Sequence, residues 1–134
     1  MSSACYDRLV VARVVFVGMG LEAEVPVGSS ILDAARAAGA PEGNRCGGVR
    51  ACSTCHVYVE SGGEHLSLAS EDELELLELS ARELRESSRL GCQAKLVADA
   101  RVEVAISDES FREYLDANPS ERARAMSLWR KAGG

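Results

Sequence analysis

An α+β fold with a mixed sheet is the class this sequence predicts, on three observations. Strand-like and helix-like stretches follow one another in the order strand, strand, helix, cysteine-rich loop, strand, helix, strand, strand, which suits a sheet with helices laid against it. Two of the helical stretches carry their own capping residues. The chain has 134 residues, 46% hydrophobic and 27% charged, which is room for one ordinary soluble domain with a real core.

Leu9 to Val17 is Val-rich and reads as a buried strand, and Gly18-Met19-Gly20 turns the chain. Leu21 to Val25 alternates apolar and charged residues up to Pro26, so the pair predicts a hairpin. Ser29 or Ser30 can cap a helix from about Ile31 to Ala38, with Gly39 as its stop. Residues 41–55 have neither period and form a loop, and His56 to Glu60 resumes as a strand. Ser70 with Glu73 makes a capping box for the next helix. Leu74, Leu77, Ala81 and Leu84 form its apolar stripe, and Arg82, Arg85 and Arg89 lie toward its end. Leu96–Ala98 and Val102–Ile106 read as closing strands. Beyond Ser107, Phe111, Tyr114 and Leu115 are helically spaced, and Pro119 opens a last helix to about Lys131. The division expected is a mobile arm over 1–8, a domain over 9–107 and a helical tail over 108–134.

Charge and hydropathy exclude several classes. There are 21 acidic and 15 basic side chains, a net charge of −6, the wrong sign for nucleic acid or an anionic membrane surface. No apolar run is long enough to span a membrane, and the first residues lack the pattern of a secretory signal, so the expectation is a cytoplasmic protein. The charge is uneven: residues 60–86 hold nine acidic and two basic side chains, whereas 119–134 hold one acidic and four basic.

Five cysteines stand at positions 5, 46, 52, 55 and 92. An odd count without a secretory signal argues for metal or redox chemistry over a disulfide framework. Cys46, Cys52 and Cys55 are separated by five and two residues, and Cys92 stands apart. Three thiolates on one loop with a fourth from elsewhere can wrap a [2Fe–2S] core, which needs four. Gly47 and Gly48 allow a tight turn, and Ser53, Thr54 and the loop amides can donate to cluster sulfurs. The competing reading is a zinc-stabilised interaction module, but zinc ribbons usually show two close pairs and this chain has one C-x₂-C. A Rieske centre would need two histidine ligands. The only candidates are His56 and His65, read instead as a packed strand residue and a surface loop residue.

Cys46-Gly47-Gly48, then Ala51-Cys52-Ser53-Thr54-Cys55-His56-Val57-Tyr58-Val59, then Ser88-Arg89-Leu90-Gly91-Cys92-Gln93, resembles the adrenodoxin and putidaredoxin class of [2Fe–2S] ferredoxins over about residues 9–107. The resemblance implies a β-grasp (ubiquitin-like) ferredoxin fold, here with a helical extension. It implies one [2Fe–2S] cluster on Cys46, Cys52, Cys55 and Cys92. It implies a monomeric electron carrier, not a substrate-converting enzyme. The donor would be an NAD(P)H-dependent flavoprotein ferredoxin reductase, and the acceptor a cytochrome P450 or the iron–sulfur assembly proteins, with the P450 preferred. Glu71, Asp72, Glu73, Glu75 and Glu78 fall where that class carries the carboxylates read by basic partners. Two departures stand out: no proline follows Ile106, and the chain continues more than 20 residues beyond. Trp129 is an apolar residue of the terminal helix, and Cys5 is a free thiol outside the motif.

Overall fold

A computed structural model describes residues 10–43, 55–81 and 83–132. The arm expected at 1–8, with Cys5, lies outside them, as do Cys46, Cys52, Ser53, Thr54 and Arg82.

Five strands form one mixed sheet in the order β2-β1-β5-β3-β4. β1 (Val11–Phe16) and β2 (Leu21–Pro26) are the expected antiparallel hairpin. β1 buries only alternate residues, Ala12, Val14 and Phe16, because its other face meets solvent. There Arg13 pairs across the hairpin with Glu22 and Glu24 at 2.9 and 2.7 Å. β5 (Arg101–Ile106) runs parallel to β1 and antiparallel to β3 (His56–Ser61), and the short β4 (Ser88–Leu90) closes the far edge. Leu96–Ala98 forms no strand ladder. The chain there makes single bridges, Ser30 to Lys95 and Leu66 to Leu96.

Helix α1 (Ile31–Ala38) opens on a complete capping box. Ser30 Oγ accepts from the Asp33 amide and Asp33 Oδ2 from the Ser30 amide, both at 3.0 Å. Gly39, at φ +72°, ends it. Ile31, Ala34 and Ala35 press onto Val14, Phe16, Val57, Val102 and Val104 to form the main core.

Helix α2 (Glu71–Ser80) is shorter than its leucines predict. Ser70 caps it through the Glu73 amide at 3.1 Å, but the Glu73 side chain does not return the bond. Four leucines, at 74, 76, 77 and 79, allow more than one stripe. The buried face holds Glu73 and Leu77, while Leu74 is 49% exposed and Leu84, beyond the helix, 47%. The chain after it is held by Tyr58, whose hydroxyl donates to Glu83 O at 2.8 Å and whose ring carries the Arg85 guanidinium at 4.0 Å.

The last 25 described residues pack against the body of the fold. α3 (Asp108–Ala117) and α4 (Arg122–Lys131) are joined by a 3₁₀ turn that Pro119 begins. Phe111, Leu115 and Ala125 enter the main core, and the Phe111 and Trp129 rings stack at 4.2 Å. Gly18, at φ +80°, lets the β1–β2 turn touch the end of α4: a side chain there would come within 2.8 Å of Ala132 Cα.

Candidate metal centre

Cys55 immediately precedes β3, and Cys92 lies in the turn after β4. The β3–β4 register pairs His56 with Leu90, so the two cysteines meet at the end of the ladder. The Gly91 amide donates to Cys55 O at 2.9 Å and locks that approach. A side chain at Gly91 would displace the Glu42 carboxylate and crowd Cys55 O at 3.2 Å. The N-terminus of α1 holds the same turn: the Leu32 amide donates to Gly91 O and the Ile31 amide to Ala94 O, each at 3.0 Å. From the other side, Glu73 reaches out of α2. Its Oε2 accepts from Arg89 Nε at 2.7 Å and from the Leu90 amide at 3.0 Å.

The two Sγ atoms lie 3.3 Å apart, both residues buried, among Leu32, Leu77 and Leu90. That is well beyond a disulfide bond of about 2.0 Å and within about 0.5 Å of the edge that two thiolates on one tetrahedral metal span with bonds near 2.3 Å. A pair of soft sulfur donors in an apolar pocket suits iron–sulfur or zinc chemistry. Among the described residues no group of three or more His, Cys, Asp and Glu side chains converges to hold a metal. The remaining candidate thiols, Cys46 and Cys52, lie outside those residues.

Of the two thiols, Cys92 is the more acidic. A hydrogen bond from Cys55, reinforced by Gln93 Nε2 at 3.4 Å, pulls its thiol down to about 6. The same bond and burial push Cys55 upward. Gln93 was visible in the motif, but its role as a donor to sulfur was not. Glu42 gave no sequence signal. It is buried, burial lifts its carboxyl well above the usual carboxylate range, and neither oxygen has a hydrogen-bond partner among the described residues.

His56 is fully buried and hydrogen-bonded at both nitrogens, as a packed strand residue should be: Nδ1 to Glu109 Oε1 and Nε2 to Ser88 Oγ, both at 2.8 Å. Ser88 Oγ also accepts from the Arg85 amide at 2.9 Å. A carboxylate can only accept, so Nδ1 donates to Glu109 and Nε2 accepts the Ser88 hydroxyl proton. Burial lowers the His56 pKa, against the pull of Glu109. His65 is half-buried and ends a 3₁₀ turn, Gly63–His65.

Of the five carboxylates expected to face partners, Glu71, Asp72, Glu75 and Glu78 are exposed on α2. Glu73 is corrected: it is 1% exposed and spent on Arg89 and Leu90, because it sits on the helix face that packs toward β4. The basic tail turns elsewhere. Arg124 bonds Glu121 and the Tyr114 hydroxyl at 2.8 and 3.2 Å, and Trp129 lies on Phe111. No helix among the described residues is long and apolar enough to cross a membrane.

Residues 15–97 match the family model described as the 2Fe-2S iron-sulfur cluster binding domain. The chain is 44% identical over 75 residues to rhodocoxin of Rhodococcus erythropolis, covering 54% of this chain and 69% of that protein. It is 44% identical over 77 residues to the mitochondrial adrenodoxin homolog of Saccharomyces cerevisiae, 57% of this chain and 44% of the other. Its fold is similar to the ISC-like [2Fe-2S] ferredoxin FdxB of Pseudomonas putida, at TM-score 0.63 and 35% identity, covering 72% and 92% of the two chains. It is also similar to a chain of the covalent putidaredoxin reductase–putidaredoxin complex, at TM-score 0.58 and 34% identity, covering 71% and 97%. With the matched segment carrying both motif halves and the β3–β4 ladder that joins them, the chain belongs to the [2Fe–2S] ferredoxins, electron carriers of the putidaredoxin and adrenodoxin type.

Proposed function

We propose that Cys46, Cys52, Cys55 and Cys92 hold the single cluster, and that the chain carries electrons one at a time from an NAD(P)H-dependent flavoprotein reductase to a cytochrome P450. The observation that carries the ligand reading is the buried Cys55–Cys92 pair at 3.3 Å, which brings the two halves of the motif together. When bound, the cluster supplies a reversible one-electron couple. The chain does the rest. Leu32, Leu77 and Leu90 keep water from the two sulfurs. The Gln93 amide, donating to Cys92 Sγ, stabilises negative charge there and so favours the reduced form.

The exposed carboxylates Glu71, Asp72, Glu75 and Glu78 form the docking face for a basic partner. Exposed charge that steers a brief encounter suits a carrier that must leave after each delivery. The likeness to putidaredoxin in the complex with its reductase supports a flavoprotein donor. The P450 acceptor rests on the motif around Val57-Tyr58-Val59. The likeness to the ISC-like FdxB favours a second reading, an iron–sulfur assembly acceptor.

Reconstitution separates these. The purified protein, reduced by NAD(P)H and a flavoprotein reductase, should take up one electron per chain and pass it to a P450 faster than to an assembly complex. Faster delivery to the assembly complex reverses the acceptor, and no uptake from any flavoprotein removes the carrier role.

A further inference from the structure

The helical extension grips the chain on both sides of the cysteine-bearing segment. Gly43 is the last described residue before residues 44–54, and His56 directly follows Cys55. Ser110 in α3 is fully buried, and its Oγ accepts from the Gly43 amide at 2.7 Å. One residue earlier, Glu109 Oε1 accepts from His56 Nδ1 at 2.8 Å. Just before the helix, the Ser107 amide donates to His56 O at 3.2 Å. Ser107 is also the helix cap, accepting from the Ser110 amide at 3.2 Å. Behind this turn, Phe111 is wedged under Trp129, so α4 holds α3 in place.

We propose that the first turn of α3 is a clamp: Ser110 and Glu109 are positioning residues that fix both ends of the segment bearing Cys46 and Cys52 and thereby set how long the cluster is retained. The proposal rests on the reading that these cysteines hold the cluster. Gly43 and His56 are thereby held on one helical turn, which fixes the two points from which the intervening ligands must reach the cluster. Gly43 is buried, so its amide has no ready substitute if Ser110 Oγ is lost.

The test uses the full-length holoprotein well below its melting temperature, with an iron chelator present and cluster loss followed by visible absorption. Ser110→Ala and Glu109→Ala should each lose the cluster roughly tenfold faster than wild type. Glu109→Gln keeps an oxygen for His56 Nδ1 and should restore most of the retention. Hydrogen exchange at the Gly43 amide should be slow in the wild type and fast in Ser110→Ala. Val14→Ala, a core truncation in β1 away from the clamp, should lower the melting temperature and leave the loss rate near that of wild type. Wild-type loss rates in Ser110→Ala and Glu109→Ala would overturn the clamp, as would equally fast loss in Val14→Ala. A colourless wild type would instead sink the cluster reading, and retention with it, while Gly43 exchange would still report on the contact.

Discussion

Glu73 Oε2 lies 2.7 Å from Arg89 Nε and 3.0 Å from the Leu90 amide, so a single buried carboxylate joins α2 to the strand that leads into Cys92. Arg89 spends a further nitrogen on Ser67 O at 2.8 Å, which fixes its fork in place. Glu73→Ala should therefore cost about 2–4 kcal/mol in chemical denaturation, because it strands a mostly buried guanidinium and a buried amide. Glu73→Gln should cost less, since its oxygen can still accept. Neither should alter the salt dependence of reduction by the flavoprotein, because Glu73 is not on the surface.

Glu75 and Glu78 behave in the opposite way. Both are exposed on α2, so neutralising them together should change stability by no more than about 1 kcal/mol. Reduction by the reductase should slow at low salt, on the order of tenfold. Raising ionic strength should bring wild type and variant together, because screening acts over about 8 Å in physiological salt. Transfer rates that ignore both salt and the double substitution would remove the electrostatic docking face.

Burial raises the Glu42 carboxyl, which gives the pH dependence a definite sign. The folded chain holds that proton to a higher pH than the unfolded chain does. Stability from this group is present at low pH and falls as pH climbs above the unfolded value of about 4.3. Glu42→Gln removes the titration. The variant-minus-wild-type difference in melting temperature should thus grow from pH 4 upward. His56 contributes the reverse slope, its lowered pKa costing stability below about 6.5, but it is common to both proteins and cancels in the difference. A difference that stays flat with pH would contradict the buried, raised carboxyl.

What could be read from the chain beforehand followed how local the signal was. The hairpin, α1 with its Ser30 box and Gly39 stop, β3 and β5 are each specified by adjacent residues, and all are present. Leu77 was legible on its stripe, but the end of α2 and the inward face of Glu73 were not, because four leucines offered competing stripes and the Leu90 amide in β4 holds Glu73 inward. The motif and the family resemblance named Cys55 and Cys92, though not that the two meet, whereas the roles of Glu42, Gln93, Glu109 and Ser110 could not be read. Those of Glu109 and Ser110 depend on elements distant in sequence meeting at one place, Gly43 and Ser110 being 67 positions apart, while that of Gln93, next to Cys92, depends on which way its side chain turns. The two helices of the extension were legible from their spacing and Pro119, but not their packing, since Phe111 and Trp129 find each other only across the turn at Pro119.

On the ligand set proposed above, Cys92 closes a four-thiolate set begun by Cys46, Cys52 and Cys55. Iron and inorganic-sulfide analysis, with visible absorption, on anaerobically purified wild type, Cys92→Ser and Cys5→Ser tests it most directly. A [2Fe–2S] protein should carry two irons and two sulfides per chain and bleach on reduction. Cys5→Ser should match it, and Cys92→Ser should lose or badly destabilise the chromophore. A colourless wild type carrying zinc, a normal cluster in Cys92→Ser, or a missing one in Cys5→Ser would each contradict the ligand set.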